Sequence, residues 1–359
     1  MGLLQLKVQG FRNLEAVDVP CAAGLNAISG PNASGKTSLL EAIYFLSRGR
    51  SFRTRRPGEL IGHNAHYLRL VATLEGAGET RHTLGVERSA KAFTARLDGE
   101  AVTALTALAD ALPVLLLSPT SHLLLEGGPG LRRRVIAWGL FQGQPDFLAP
   151  WRRFRTALRH RNAALKANAA DRALLPWERE LAAAAATLDH QRQAFCEALE
   201  RALGPFLLAT LGAPSAVVNY RRGWPAGADL GRLLAEGRGG DRRLGHTRLG
   251  PQKADFAVVV DGHSAAERLS RGQQKLLVIA LVLAQAQLYQ SCRGRPCVLL
   301  IDDLPAELDA HHRGRILSCL AATPHQLFIT AIEPIHLFEA PWRAVHHLAL
   351  EAGQVRKML

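Results

Sequence analysis

The spacing of hydrophobic positions changes several times along the chain, and each change predicts an element. Residues 3–9 (Leu-Leu-Gln-Leu-Lys-Val-Gln) alternate like a strand, Phe11-Arg12-Asn13-Leu14 reads as a turn, and residues 15–19 read as a second strand. A short apolar run ending at Ile28 predicts a third strand. After it, Ser38-Leu-Leu-Glu-Ala-Ile-Tyr-Phe-Leu46 places apolar residues at helical spacing. Three alternating runs (67–74, 81–88 and 92–97), separated by Gly-containing turns, predict an antiparallel meander. Residues 105–112 then read as a helix and 113–118 as a buried strand.

The pattern becomes helical beyond Gly127-Gly-Pro-Gly130. Residues 131–204 are rich in Ala, Leu, Arg and Glu. Trp151, Phe154, Leu158 and Leu165 are expected on one helix face. Leu175-Pro176 is expected to break the chain before a heptad-like series of Trp177, Leu181, Ala184, Leu188, Gln191, Phe195 and Leu199. The prediction is two antiparallel helices with a short coiled-coil seam, the second extending roughly 40 Å at helical rise. Residues 221–248, rich in Gly and Arg, read as a loop. Phe256–Val260 followed by Asp261-Gly262 reads as a hairpin. Leu276 to Tyr289 reads as a strongly apolar helix, and 297–301 and 326–330 as core strands. The expected organisation is an α/β domain formed by residues 1–128 plus 246–359, with a mainly helical arm, 129–245, inserted.

Composition adds one unusual feature. Of the 359 residues, 48% are hydrophobic and 21% charged, ordinary for a globular protein, but 44 Lys+Arg against 31 Asp+Glu leaves a net charge of +13. Such an excess points to a polyanionic partner, with an Arg-rich solvated surface as the alternative. The five cysteines are scattered without C-x-x-C spacing, which supports neither a zinc site nor a disulfide framework and suits a reducing, cytoplasmic compartment. The start of the chain lacks the pattern of a targeting segment. The apolar stretch 276–288 is interrupted by Gln285 and Gln287 and is short for a bilayer, so no membrane association is expected.

The candidate chemistry centres on Gly30-Pro31-Asn32-Ala33-Ser34-Gly35-Lys36-Thr37, which fits G-x-x-x-x-G-K-[ST] between a predicted strand and a predicted helix. The glycines permit a backbone that turns N–H groups toward an anion, and the helix N-terminus adds partial positive charge. Lys36 would then reach the β- and γ-phosphates of a nucleoside triphosphate, and the Thr37 hydroxyl would sit on Mg²⁺. A second anion site is expected at the start of the apolar helix, where Ser270, Arg271, Gly272 and Gln273 stand with Ser270 as N-cap. The strand 297–301 ends in Asp302 and Asp303, the first suited to orienting Mg²⁺ and the second to positioning an attacking water. The basic stretch 48–56, with Arg53, Arg55 and Arg56, reads as a loop that either tracks a phosphate backbone or is merely solvated. Arg132, Arg133, Arg152 and Arg153 in the arm are candidate backbone contacts for DNA.

Together, Leu269-Ser270-Arg271-Gly272-Gln273, the strand ending Asp302-Asp303, and Ala306-Glu307-Leu308-Asp309 resemble the signature, Walker B and D-loop segments of ABC-type ATPases. Within that class the chain resembles the RecF family, relatives of the SMC proteins. The resemblance is carried by Gly10-Phe11-Arg12-Asn13-Leu14, Gly30–Thr37, Leu116-Leu117-Ser118-Pro119, Gly127-Gly128-Pro129 with Arg132-Arg133-Arg134, and Arg161-Asn162-Ala163-Ala164-Leu165. Gly245-His246-Thr247 through Gly250-Pro251, and the three segments just named, complete it. Nearly the whole chain is covered.

The resemblance implies an ABC/SMC-type P-loop ATPase head, a mixed sheet around a central P-loop core, with an inserted helical arm. It also implies an ATP-dependent homodimer in which Ser270 and Gly272 of one copy meet the γ-phosphate held by Lys36 of the other. Arg12 would lie beside the nucleotide, and Asp309 would belong to the D-loop. The implied work is slow ATP hydrolysis that gates binding to gapped duplex or single-/double-strand junctions. The implied outcome is loading of RecA through RecR, with RecO in the same pathway, in replication, recombinational repair and the SOS response. Four departures weigh against fast turnover: Gln252-Lys253-Ala254-Asp255 where the family has His-Arg-Asp-Asp, Thr120 in an acidic position, Ala331 in place of a switch His, and Asp303 instead of Glu. A nucleotide-binding scaffold without turnover is the alternative of a different class. A transporter ATPase subunit is disfavoured by the basic arm between phosphate loop and signature.

Overall fold

Strands β1 (Leu3–Phe11), β2 (Leu14–Pro20) and β3 (Leu25–Ser29) precede helix α1 (Lys36–Arg48). They are followed by β4 (Tyr67–Glu75), β5 (Arg81–Ser89), β6 (Phe93–Leu97) and β7 (Glu100–Ala101), then α2 (Leu105–Ala111) and β8 (Val114–Leu117). The structure is a computed structural model that describes residues 2–76, 78, 80–212, 215–303 and 310–357. The chain divides into two compact units, Met1–Ser121 with Tyr289–Leu359, and His122–Leu288.

The first unit contains two six-stranded sheets. One is antiparallel, in the order β2-β1-β4-β5-β6-β7, and contains the expected meander. The other uses β12 (Val298–Ile301), β13 (Gln326–Ala331), β14 (Val345–Glu351) and β15 (Gln354–Lys357) in the order β15-β14-β3-β13-β12-β8. Every pair in it is parallel except the edge strand β15. Parallel strands covered on both faces should be uniformly apolar, and β3, β12 and β13 are buried at every position. Helix α1 contributes Leu39, Leu40, Ala42, Ile43, Phe45 and Leu46 to a core cluster that also holds residues of both sheets. From Ser38 to Ser47 every residue of this helix but Tyr44 is buried, Glu41 among them, so the helix is covered on all sides.

The second unit is built on helices α3 (Leu123–Glu126), α4 (Pro129–Gly143), α5 (Leu148–Lys166) and α6 (Asp171–Leu211). It also holds a small sheet of β9 (Ala216–Arg221), β10 (Asp255–Val260) and β11 (His263–Ser264). Helices α5 and α6 pack together. The heptad-like series is buried from Leu181 to Leu199, as expected, while Trp177 is only half-buried.

Three expectations for this unit are corrected. Pro176 does not break the chain: α6 runs 41 residues, roughly 60 Å rather than 40 Å. Pro176 is the sixth residue of that helix. The first four N–H groups have no intrahelical partner anyway, so its missing donor removes only the bond to Arg172, in the first turn. Residues 221–248 are not simply a loop, because α7 (Leu230–Glu236) and α8 (Arg238–Leu244) form within them. Asp229 caps α7 by accepting from Arg232 N at 2.6 Å, and Leu230 and Leu234 are buried. The buried face of α5 is Phe154, Ala157, Arg161 and Leu165; Trp151 and Leu158 lie at its margin.

Three further helices follow: α9 (Ala265–Arg268), α10 (Arg271–Arg293) and, after β12, α11 (Ala310–Ala321). Helix α10 is longer than the apolar stretch within it, and by length and composition it could cross a membrane. About two-thirds of its apolar window (67%) is buried in the protein, which marks it as a core helix. All five cysteines are free, with Cys196 and Cys297 buried.

Candidate functional site

The segment between β3 and α1 is held in one conformation by its glycines and by contacts from outside. Gly30 has φ +147° and Gly35 φ +109°, both in the left-handed half of the map. A Cβ on Gly30 would collide with the Leu350 carbonyl oxygen, and one on Gly35 would stand 2.8 Å from Leu14 Cδ2. Ala33 also has positive φ (64°), and Asn13 Nδ2 donates to its carbonyl at 3.1 Å. Asn13 in turn accepts from Ser38 Oγ at 2.8 Å, while Gly353 N donates to Ser34 O at 3.0 Å. The Ser34 hydroxyl is buried without a hydrogen-bond partner among the described residues. A buried, unanswered hydroxyl beside Gly30 fits a loop shaped to receive phosphate oxygens.

Lys36 folds back over the loop and donates to Gly30 O at 2.8 Å and Pro31 O at 2.9 Å. Partial desolvation lowers its pKa from the ordinary lysine value, against the opposing charges of Asp303 and Asp302. The Thr37 hydroxyl donates to both oxygens of Asp302, at 2.9 and 3.1 Å. Because β3, β13 and β12 are parallel neighbours, Ser29, Thr330 and Asp302 come from the same ends of their strands. In open parallel sheets that end is where ligands bind.

Thr330, on the middle strand and wholly buried, ties the two acids together. Its hydroxyl donates to Asp302 Oδ1 at 2.8 Å and accepts from Asp303 N at 2.7 Å. Asp303 has φ +59°, a backbone conformation a non-glycine residue holds only when its surroundings enforce it. Ala331, at the position where a switch His was sought, is buried and has no polar atom to offer. The Thr37 hydroxyl and Asp302 carboxylate form a pair of hard oxygen ligands suited to Mg²⁺, which takes few protein ligands and keeps its waters.

Arg12 lies within the first unit and is engaged in the fold. Its Nε and Nη2 donate to Glu41 at 2.7 and 2.9 Å, and Nη1 to Glu59 O at 3.2 Å. Glu41 is completely buried on α1 and also accepts from Ser51 and, at 3.5 Å, from Arg53. Sequence reading missed Glu41 and Thr330 as organising residues, since each acts through a partner distant in the chain. It also missed His347, whose Nε2 lies 2.7 Å from Ser29 Oγ just before the loop. Burial, with the neighbouring His346, lowers the His347 pKa.

The signature segment is exposed from Ser270 to Gln273. Ser270 N donates to Gln273 Oε1 at 3.0 Å and Ser270 Oγ accepts from Gln273 N at 3.3 Å, a reciprocal capping box at the start of α10. A Cβ on Gly272 would meet nothing closer than Ser270 Oγ at 4.0 Å, so its backbone is open to close approach. Asp309 lies outside the described residues.

The basic candidates divide into engaged and available groups. Arg132 is largely buried: it forms a bidentate pair with Asp255 at 2.7 and 2.9 Å and donates to the carbonyls of Leu124, Leu125 and Gly127. Asp255 thus keeps a structural role although the preceding Gln252-Lys253-Ala254 departs from the resemblance. Arg133 donates to Ala254 O at 3.0 Å. Arg153 pairs with Glu180 at 2.5 and 3.0 Å. Arg53, Arg55, Arg56 and Arg152 are exposed, although Arg53 lies 3.5 Å from Glu41 and Arg56 3.6 Å from Glu59.

The sequence compares closely with known proteins over its full length. The RecF/RecN/SMC N terminal domain family matches residues 2–354. The DNA replication and repair protein RecF of Chromohalobacter salexigens is 42% identical over 355 residues, 98% of this chain and 97% of that protein. This chain belongs to the RecF family. Another RecF, of Thioalkalivibrio sulfidiphilus, is 39% identical over 358 residues and covers 99% of both chains. A solved structure of the recombination mediator protein RecF with ATP in the RecFOR pathway superposes with a TM-score of 0.89. Its sequence is 23% identical, with 99% of this chain and 97% of that one covered. An Smc head bound to the C-winged helix domain of ScpA gives a TM-score of 0.61 at 14% identity, covering 100% and 98%. The fold is that of an ABC/SMC-type ATPase head with a helical insert, as the RecF resemblance implied.

Proposed function

We propose that this RecF-family chain is an ATP-gated DNA clamp, in which two copies close around ATP on duplex or gapped DNA and reopen after slow hydrolysis. The observation that carries the reading is the direct bond of Thr37 to Asp302, with Asp302 and Asp303 tied together through Thr330, beside the phosphate loop. To bind ATP, Lys36 exchanges the carbonyls of Gly30 and Pro31 for the β- and γ-phosphate oxygens, while residues 30–37 wrap the phosphates. Thr37 and Asp302 would hold Mg²⁺, which would supply charge neutralisation for the phosphates. Asp303 orients the attacking water, and the shorter side chain together with Ala331 in place of a switch His favours slow turnover.

Ser270, Arg271, Gly272 and Gln273 of a second copy complete the site, so the nucleotide is shared between chains. Residues 1–128 with 246–359 are proposed as the head and 129–245 as the arm. DNA contacts through exposed cations, among them Arg53, Arg55, Arg56 and Arg152, are expected to be sequence-independent and salt-sensitive. The RecFOR designation of the solved relatives supports RecR and RecO as pathway partners, with RecA loading as the outcome.

The test compares wild type and Lys36→Met for dimerisation by sedimentation and for retention on gapped duplex, with and without Mg·ATP. ATP should promote both in the wild type alone. Dimerisation that ignores nucleotide, with unchanged DNA retention in the variant, would overturn the gating mechanism.

A further inference from the structure

The cations of α5 fall into two classes. Arg153 is matched by Glu180, and Arg161 is buried against Glu178 and Asp241. Arg152, Arg155, Arg159 and Lys166 are all exposed. Of these, Arg152, Arg159 and Lys166 have no ion-pair or hydrogen-bond partner among the described residues, and Arg155 stands over the Trp151 ring at 5.2 Å. The helix contains no acidic residue at all.

Helical geometry turns this class into a line. At about 100° per residue, these four cations fall within an arc of roughly 60°, on the side away from Phe154, Ala157, Arg161 and Leu165. From Arg152 to Lys166 they extend roughly 21 Å along the axis at helical rise. A shallow groove lies along the same side, lined by Trp151, Arg152, Arg155, Thr156, Arg159 and Lys166 among others.

We propose that this exposed face of α5 is a rail for the phosphodiester backbone of duplex DNA. The proposal rests on the DNA-clamp reading and gives it a specific surface in the arm. Uncompensated charge argues for a polyanion, because four aligned cations on a helix that carries no acid of its own repel one another until an anion covers them. The one aromatic ring lining this groove, Trp151, carries Arg155 over it, whereas single-strand grooves stack bases on open rings, which argues for duplex over single strand. A duplex carries one charge about every 3.4 Å of helix axis on each strand, so a rail of this length spans roughly six base-pair steps along the axis. Contacts of this kind read no sequence.

The test uses the full chain with Mg·ATP, a 5′-labelled duplex and the matching single strand, with binding followed by anisotropy across a salt series. In the quadruple variant Arg152→Gln/Arg155→Gln/Arg159→Gln/Lys166→Gln, duplex affinity should fall on the order of tenfold or more, and the salt slope should shrink by about three to four. ATP affinity and far-UV circular dichroism should remain those of wild type. Should the quadruple variant misfold, Arg159→Gln alone is expected to lower the slope by about one, and Arg153→Gln to lower it less.

An unchanged duplex affinity and slope, in a wild type that binds duplex, overturns the rail while leaving the clamp. Loss confined to single-strand binding, or to binding of a poly-glutamate competitor, overturns duplex as the occupant. A wild type that binds no duplex in low salt with ATP overturns both readings together.

Discussion

Two polar networks, one in each unit, use similar groups and are finished differently. Every nitrogen of the Arg161 guanidinium is answered inside the protein. Its guanidinium reaches Glu178 (3.2 Å from Nε), Asp241 and Thr247 (each 2.8 Å from Nη1) and Leu234 O (3.0 Å from Nη2). Arg238 and Arg248 add second cations to Glu178 and Asp241. Around the phosphate loop, among the described residues, Lys36 donates only to two backbone carbonyls and the buried Ser34 hydroxyl has no partner. The first arrangement is closed and holds α5, α6, α7 and α8 together. The second consists of bonds that a polyanion can replace without stranding a buried charge.

The comparison is tested most severely at Arg161. Arg161→Met leaves parts of two buried carboxylates without their central cation, and removal of one partner from such a network costs about 3–5 kcal/mol. Urea unfolding followed by helical circular dichroism should show that loss in the second unit. A loss below about 1 kcal/mol would mean water already serves these groups, and the network is not closed.

The same contrast explains what could be read from the sequence. The phosphate loop was legible because its function lies in a contiguous run, and the meander because strand alternation is local. The arm's network was not. Arg161 sits in a run of arginines, and only the arrival of Asp241, 80 positions later, shows that it belongs inside. Helix α8 was hidden for the same reason: Arg-Gly-Gly-Asp-Arg-Arg-Leu has weak helical propensity, and it is held by Asp241 bonds and by Arg242 on Asp171. Strand β9 and the C-terminal pair β14–β15 also escaped, since short strands of mixed polarity depend on the neighbours they pair with. Glu41 looked like a surface position within an apolar helix until Arg12, 29 residues earlier, supplied its partner.

Thr330 stands between the two extremes, buried like Arg161 but bonded to groups that face the ligand. Thr330→Val keeps the shape and removes the acceptor of Asp303 N and a donor to Asp302. The expected cost is about 1–3 kcal/mol for the stranded group. Asp303 should also leave its left-handed conformation, so single-turnover ATP cleavage should fall more than ATP affinity. Thr330→Ser should restore both. Equal loss of binding and cleavage in Thr330→Val, unrescued by Ser, would make Thr330 a packing residue instead of a positioning one.

The smallest effect on stability is expected at Lys36, where the open network is most open. Its pKa is lowered because desolvation disfavours the charged form, so below that pKa the ammonium carries a folding penalty, relieved as pH rises through it. Lys36→Met removes that penalty and two exchangeable bonds, and without nucleotide the unfolding free energy at neutral pH should stay within about 0.5 kcal/mol of wild type. Nucleotide then separates the two proteins. At a concentration one hundred times its dissociation constant, a ligand bound only by the folded state stabilises by about 2.7 kcal/mol. Mg·ATP should produce that shift in the wild type and little in Lys36→Met. A variant destabilised by several kcal/mol in the absence of ATP would place Lys36 among the closed contacts, and the distinction between the two networks would fail at the residue it depends on most.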